Sequence, residues 1–196
     1  MARARHHLEW MADTLLISGV DRLAVKAARL AATIELGDVE PVKKLITSVR
    51  RSLLRHMTLR GVGVLPSDID LAGLGPVARA TGMSDDRRTA EDGYDDLGFR
   101  PVTRDDGDAW GRFMVRAEEA VQAVDLAGRA GNRIAFGNGE VEAPDGLYRV
   151  GESRPSGRFV SMLETILVGA EWGDLVATIQ SLDIDMESVS VGKPVV

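Results

Sequence analysis

The stretch from Gly107 to Gly131, GDAWGRFMVRAEEAVQAVDLAGRAG, constrains the fold more than any other part of this sequence. It predicts one long helix, because Asp106 or Asp108 can cap the free amide groups at its start and a glycine ends it. Its apolar residues recur at the spacing of one helical face. They are Trp110, Phe113, Met114, Ala117, Val121 and Val124. This helix is therefore predicted to be central to a helical core.

The opposite side of the same stretch carries charge. Arg112, Arg116 and Glu119 fall together there, and Arg116 and Glu119 can pair at a spacing of three residues. Taken by itself, such a side is typical of a solvated helix face. The stretch alone therefore favours exposure of these three side chains.

The first sixty residues predict a helical hairpin. Residues 5–36 have a helical apolar pattern that Gly19 or Asp21 can bend or divide. Gly37 ends this pattern, and Pro41 starts a second helix whose apolar residues continue to Met57. Two antiparallel helices joined by a short turn are expected.

The remaining segments complete a mainly α (α+β) prediction, a helical bundle with a small β-hairpin in one domain, residues 1–196. Glycine and proline make 61–106 a loop region, and its acidic part, 84–108, is expected to be a solvated loop rather than a cation site. The central helix occupies 107–131. Residues 137–150 predict a hairpin with its turn at Pro144-Asp145-Gly146. Two C-terminal helices, 157–169 and 171–182, precede a tail at 183–196, and Trp172 is expected inside the second helix.

Charge and cysteine content exclude several classes of function. The net charge of -6 argues against nucleic acid as a partner, although residues 1–60 carry 11 Lys/Arg against 6 Asp/Glu. The absence of cysteine excludes disulfides, thiolate-held iron–sulfur clusters and a cysteine nucleophile in this chain. No apolar run is long enough to span a bilayer, so a cytoplasmic protein without a transmembrane segment is expected.

A search for catalytic motifs finds no active site. The sequence has no phosphate-binding loop, no H-E-x-x-H and no G-x-S-x-G. His6 and His7 are adjacent and point in different directions on a helix, so they make a poor metal chelate. His56 beside Arg55 fits a helix C-terminal cation better than a base. No catalytic residue and no metal ligand is predicted from chemistry alone.

Several motifs in order carry a resemblance to one family. They are Gly75-Pro76-Val77-Ala78-Arg79-Ala80-Thr81-Gly82 followed by Asp86 and Arg88; Tyr94-Asp95-Asp96-Leu97-Gly98-Phe99; Gly107-Asp108, Arg112, Val115-Arg116 and Glu119; Glu142-Ala143-Pro144; and Ser181-Leu182-Asp183. Together they resemble the nickel–iron hydrogenase large-subunit superfamily. The resemblance is closest to its branch with the D-type subunit of NADH–quinone oxidoreductase (complex I) and the energy-converting hydrogenases.

The resemblance implies a structural or interface network and a lost metal site. The network would join loop and helix through Arg79, Asp86, Arg88, Asp108, Arg112, Arg116 and Glu119. Where hydrogenases hold nickel and iron with cysteine pairs, this sequence has Asp185 and Ser188, and the upstream pair has no counterpart. A soft thiolate site cannot be rebuilt from a carboxylate and a hydroxyl, so no metal is expected here.

The function implied by the resemblance is that of a truncated, non-metal-binding large-subunit-like component of a complex-I-like or membrane-bound-hydrogenase-like electron-transfer complex. Its expected partners are an iron–sulfur small subunit and membrane-arm subunits, with an iron–sulfur cluster, NAD and quinone bound in the assembly. It would be peripheral on the inner, cytoplasmic face of the membrane, with a structural or redox-coupling role and no catalysis alone. The alternatives are a free-standing binding module that kept the fold, and one half of a split large subunit.

Overall fold

The computed structural model describes residues 1–52, 58–66, 68–131, 140–143, 146–149, 163 and 165–184. In these residues the chain is mostly helical, which confirms the helical part of the prediction. The helices are α1 (Ala2–Ile17), α2 (Asp21–Thr33), α3 (Glu40–Arg50), the single turn α4 (Pro76–Arg79), α5 (Ala109–Ala130) and α6 (Trp172–Leu182), with a 3₁₀ turn at Arg87–Ala90. None of the described helices combines the length and apolarity that a membrane crossing needs.

The helical pattern predicted over 5–36 is divided into two helices, which the sequence allowed at Gly19 or Asp21. The break falls at Gly19, which has a φ of 71°, and α2 then runs back along α1. The buried side of α1 includes Ala4, Leu8, Met11 and Leu15. Glycine at the break takes a backbone conformation that a side chain would disfavour, so the chain divides at the first of the two predicted positions and two packed helices form.

Helix α3 has the predicted proline, Pro41, in its first turn and buries Val42, Leu45, Ile46 and Val49 against the same core. It ends at Arg50, earlier than its predicted extension to Met57. Residues 53–57, which include Arg55 and His56, lie outside the described part of the chain.

The central helix α5 is confirmed with both of its predicted end signals. Asp108 caps it through a hydrogen bond from the Gly111 amide to Oδ1 (2.8 Å), and Gly131 follows its last residue. The turn before α3 packs so closely on this helix that a Cβ added at Gly128 would lie 2.6 Å from the Gly37 Cα. Core residues from α1, α2, α3 and α5 form one apolar cluster.

The loop region 61–106 folds back onto this core instead of staying open. Leu65, Leu74, Val77 and Ala78 form a second apolar cluster with residues at the end of α6. The 3₁₀ turn is capped by Asp86, whose side chain accepts a hydrogen bond from the Arg88 amide. Asp86 and Asp108 are buried, so the prediction that the acidic stretch 84–108 is solvated is wrong at these two residues.

The C-terminal third is described only in part. Strands β1 (Glu140–Ala143) and β2 (Gly146–Arg149) pair antiparallel, with Glu140 opposite Arg149 and Ala143 opposite Gly146. The predicted turn residues Pro144 and Asp145, most of the helix predicted at 157–169, and 185–196 of the tail lie outside the described residues. Helix α6 forms as predicted, but Trp172 at its first position is 78% exposed, so its predicted burial is wrong.

Candidate functional site

One side of the central helix carries charged residues that are completely enclosed by the rest of the fold. Arg112, Arg116 and Glu119 lie on successive turns of α5, and none is more than 1% exposed. Helices α1, α4 and α6 pack against α5, so this side has no access to water. The solvated face that the stretch alone favours is therefore wrong, and each charge needs a partner inside the protein.

Asp108 and Arg112, the first two charged residues of the group, fix the start of the central helix. Asp108 accepts hydrogen bonds from the amides of Gly111 (2.8 Å) and Gly61 (2.7 Å) through its two oxygens. Arg112 donates to the carbonyl oxygen of Gly63 (2.7 Å) and to Ser181 Oγ (3.0 Å). Burial lowers the pKa of Arg112 to about 10, while the Asp108 carboxylate acts in the opposite direction.

At the far end of the group, Glu119 receives two arginines from the loop region. Arg79 donates from Nε to Glu119 Oε1 (2.9 Å), and Arg88 donates from Nη2 to the same oxygen (2.9 Å). Arg79 sits on α4 and Arg88 on the 3₁₀ turn, so one carboxylate holds two separate loop segments against α5. Both arginines also face Asp86, with Arg79 Nη1 at 3.3 Å and Arg88 Nε at 2.8 Å from its oxygens.

Asp86 stays ionised because of these arginines. Burial by itself would raise the pKa of Asp86, but hydrogen bonds and charge from Arg88, together with the charge of Arg79, outweigh burial and lower it. The Arg88 guanidinium also lies 4.6 Å from the centre of the Phe99 ring. Asp86 and Arg88, the D-x-R part of the loop motif, therefore form one bidentate ion pair.

Arg116 forms the middle of the group, and its partner differs from the predicted one. Its Nη2 donates to Asp183 Oδ2 at 2.8 Å, whereas the sequence predicted Glu119 three residues away. Glu119 is already occupied by Arg79, Arg88 and His7. Asp183 comes directly after α6 and has a φ of 59°, so the pair joins the central helix to the end of the last helix.

The rest of the Arg116 guanidinium lies against an aromatic ring. Its central carbon is 4.7 Å from the centre of the Trp10 ring. Within the described residues, Arg116 Nε and Nη1 and Trp10 Nε1 have no hydrogen-bond partner. The ring face compensates part of the missing hydrogen bonding through its quadrupole.

Two adjacent histidines on α1 face the group, and the closer one, His7, belongs to it; the sequence prediction missed this contact. His7 Nε2 is 3.4 Å from Glu119 Oε2, and His6 Nε2 is 4.0 Å from Asp183 Oδ2. The pKa of His7 lies well below its usual value because of burial, and because Arg116, His6, Arg88 and Arg79 add positive charge nearby. The available signal was periodicity, since His7 lies three residues after Ala4 and four before Met11 on the buried side of α1.

We call these residues the buried charge cluster. Its members are Arg79, Asp86, Arg88, Asp108, Arg112, Arg116, Glu119 and Asp183, together with His7. Four guanidinium groups face four carboxylates, so with His7 neutral the cluster has no net charge. All seven network residues predicted from the resemblance are in it, and they meet in the interior rather than on an open surface.

The arrangement is suited to holding segments together more than to reacting. The cluster connects α1, the loop region, α5 and the end of α6. In the part of the chain that the structure describes, no group of three His, Asp or Glu side chains is arranged to hold a metal ion. Asp185 and Ser188, which replace the family's metal-ligating cysteines, lie outside the described residues. Without any cysteine, the chain also lacks the donor atoms of a nickel–iron centre.

Comparison with known proteins gives consistent matches. The family model described as respiratory-chain NADH dehydrogenase, 49 Kd subunit, matches residues 36–147, more than half of the chain. A D-type subunit of the NADH-quinone oxidoreductase of Solibacter usitatus, the one numbered 2, is 32% identical over 180 residues, covering 74% of this chain and 48% of the relative. The D-type subunit of the same enzyme from Dehalococcoides mccartyi is 29% identical over 187 residues, covering 78% of this chain and 50% of the relative.

A hydrogenase also matches over a shorter stretch. The alpha subunit of the membrane-bound hydrogenase of Pyrococcus furiosus is 36% identical over 90 residues, covering 40% of this chain and 21% of the relative. The chain thus spans about half, or less, of the length of the curated relatives that it matches. The family model covers all seven predicted network residues, whereas His7 and Asp183 lie outside its range.

Proposed function

Because the chain belongs to the family of the 49 kDa subunit of respiratory-chain NADH dehydrogenase, we propose that it is a non-metal-binding component of an electron-transfer complex. The complex is of the NADH–quinone oxidoreductase type or the membrane-bound hydrogenase type, as its relatives' names indicate. In it the chain has a structural or redox-coupling role and carries no redox group of its own.

The buried charge cluster is the observation that carries this proposal. The residues that the motifs single out converge on Glu119, Asp86 and Asp108 from the loop region and from α5. Burying four guanidinium groups costs much solvation energy, which paired and hydrogen-bonded partners recover only when the geometry is fixed. A fold that keeps such a cluster has a rigid loop region, and a rigid surface is what a docking protein offers to its neighbours.

The donor atoms of the chain support the non-catalytic part of the proposal. A nickel–iron site needs soft thiolate ligands, and the sequence contains none. The charged side chains of the cluster are engaged with one another inside the protein, and the neutral His7 lies 3.4 Å from Glu119 Oε2. The iron–sulfur cluster, NAD and quinone of the assembly are accordingly assigned to partner chains.

Exposed apolar side chains support docking to partners. Leu16 and Ile17 at the end of α1, Val64 in the loop region, and Val168 and Trp172 near α6 all project into solvent in this chain alone. Apolar side chains of this size are stabilised when another protein covers them. We assign these surfaces to an iron–sulfur protein and to membrane proteins of the assembly, which would place the chain on the inner face of the membrane.

The test is purification of the tagged chain from its native membranes, with an untagged strain as the control. Proteins in the eluate are identified by mass spectrometry, and nickel and iron are measured in the same sample. An iron–sulfur subunit and membrane subunits without nickel are expected. A chain that elutes alone would overturn the proposal and favour the free-standing binding module. Co-elution with a second large-subunit-like chain would identify the protein as one half of a split large subunit.

A further inference from the structure

Four polar atoms in the interior between α1 and α5 are left without a hydrogen bond. They are Trp10 Nε1, His7 Nδ1, Arg116 Nε and Arg116 Nη1, and none of them has a partner among the residues that the structure describes. The three side chains are no more than 6% exposed, so bulk solvent does not serve these atoms either. An unpaired buried polar atom costs free energy, because it gave up a hydrogen bond to water on folding.

The side chains that carry these atoms are neighbours, because they belong to two facing pairs across the contact of α1 with α5. In one pair the guanidinium carbon of Arg116 lies 4.7 Å from the centre of the Trp10 ring. In the other pair His7 Nε2 lies 3.4 Å from Glu119 Oε2. The two pairs are three residues apart along both helices, which is a rise of about 4.5 Å. The unpaired atoms are therefore concentrated within one turn of α1 and one turn of α5.

The unpaired atoms are of two chemical types. The indole N–H of Trp10 and the guanidinium nitrogens of Arg116 can only donate hydrogen bonds. Since His7 Nε2 faces a carboxylate, which only accepts, Nε2 carries the proton of the neutral ring and Nδ1 is an acceptor. Burial and nearby positive charge lower the pKa of His7 and so keep its ring neutral. The interior thus presents donors beside one acceptor.

A water molecule matches this set of atoms. Its oxygen can accept from Trp10 Nε1 and from one guanidinium nitrogen of Arg116, while one of its hydrogens is donated to His7 Nδ1. Two nitrogens that each lie about 2.9 Å from one water oxygen at a tetrahedral angle are about 4.7 Å apart. The rise between the two facing pairs, about 4.5 Å, is nearly the same. Buried waters typically make about three hydrogen bonds to groups that are otherwise unpaired.

Other small occupants fit the same atoms less well. An anion would face the accepting nitrogen of His7, and it would add charge to a cluster whose four guanidinium groups already balance four carboxylates. A metal ion needs ligands with free electron pairs, whereas three of the four unpaired atoms carry hydrogen. Only a molecule that both accepts and donates satisfies the set.

We propose that the interior between α1 and α5 binds one structural water, held by Trp10, Arg116 and His7 and separated from bulk solvent. This water joins α1 to the central helix at the middle of the buried charge cluster. The proposal does not depend on which assembly contains the chain.

The experiment measures nuclear Overhauser effects between water and the indole N–H groups of the full chain, labelled with ¹⁵N at tryptophan. The sequence has three tryptophans, and Trp10→Phe identifies the signal of Trp10. We expect the Trp10 N–H to show the sign of a water that tumbles with the protein. The rotating-frame version separates this contact from chemical exchange of the indole proton. Trp172 is exposed, so it is the control for short-lived contact with surface water.

Two variants of His7 test its part in binding the water. His7→Phe keeps an aromatic ring but removes the acceptor, so it should lower the water signal at Trp10 at least threefold, with an unchanged helical circular dichroism spectrum. His7→Gln supplies an amide oxygen that accepts, so it should retain the signal. The proposal is overturned if the parent protein shows no long-lived water at Trp10, or if His7→Phe leaves the signal unchanged. A Trp10 signal that shifts when sodium bromide replaces sodium sulfate at constant ionic strength would also overturn it, by identifying an anion instead.

Discussion

Arg116 and Asp183 form an ion pair in which both side chains are completely buried, with Nη2 2.8 Å from Oδ2. The pair joins the middle of the central helix to the residue that follows the last described helix. It is also the pair that sequence spacing misassigned, because Glu119 is nearer in the chain.

Arg116→Ala is expected to lower the free energy of unfolding by about 3–5 kcal/mol, because it leaves the Asp183 carboxylate buried without its partner. Chemical denaturation followed by circular dichroism measures the change. Arg51→Ala removes an exposed arginine and should change stability by less than about 0.5 kcal/mol. An Arg116→Ala protein that is as stable as the parent and still assembles would refute the role of the cluster.

Glu119→Gln and Glu118→Gln make a matched pair of adjacent substitutions. Glu119 accepts from Arg79 and Arg88 in the interior, so its neutralisation should cost about 3–5 kcal/mol. Glu118 pairs with Arg50 and Arg104 in partly exposed positions, so its neutralisation should cost under about 1 kcal/mol. Equal losses in thermal or chemical unfolding would contradict the assignment of the charged core to Glu119.

Gly63→Ala and Gly61→Ala separate backbone strain from crowding. Both glycines have positive φ, 61° and 72°, so alanine at either site should cost about 1–2 kcal/mol. Only at Gly63 would the new Cβ crowd other groups, lying 2.7 Å from Thr178 Oγ1 and 2.8 Å from Arg112 Nη2. We expect a further loss of about 1–3 kcal/mol there. The same loss at both positions would show that Thr178 and Arg112 move aside without cost.

The lowered pKa of His7 predicts that the free energy of unfolding falls as the solution becomes mildly acidic. Its pKa in the folded protein lies well below the unfolded value, so below about pH 6.5 the unfolded state binds the proton and the folded state does not. The free energy of unfolding should therefore fall by up to about 1.4 kcal/mol per pH unit between about pH 6 and pH 5. This contribution is absent above about pH 7.

His7→Gln should remove that slope in unfolding titrations between pH 5 and 7. Asp86 contributes in a separate pH range, because its lowered pKa means that its stabilisation is lost only as the pH falls below 3.8, the ordinary pKa of an aspartate. A parent protein and a His7→Gln variant with the same slope would show that His7 is accessible to protons in the folded state.

Local sequence signals predicted the helices well and their contacts less well. The cap at Asp108 and the stop at Gly131 defined α5, because end signals depend only on neighbouring residues. The family motifs singled out Arg79, Asp86 and Glu119, and Arg79 lies 3.3 Å from Asp86 Oδ2 and 2.7 Å from Glu119 Oε1 in the structure. His7 and Asp183 could not be assigned, since their partners lie on other elements whose packing a local pattern does not encode.

The prediction that Trp172 is buried is wrong for a physical reason. Trp172 fits the helical pattern of α6, but it is the first residue of that helix and extends beyond the elements that cover the later turns. Periodicity gives the direction of a side chain around the axis. It does not give how far along the axis the neighbouring elements reach.

The pairing of residues that are distant in sequence has a consequence for folding kinetics. Arg112 and Ser181 are 69 residues apart, and Arg116 and Asp183 are 67 apart, while Glu119 also meets His7 near the other end. Contacts between residues so far apart in the sequence form slowly, because closing the intervening loop costs conformational entropy before the interaction is gained. We therefore expect the helices of the first sixty residues to pack together early in folding. The arginines of α5 should stay hydrated until the segments that contain His7 and Asp183 have packed against them.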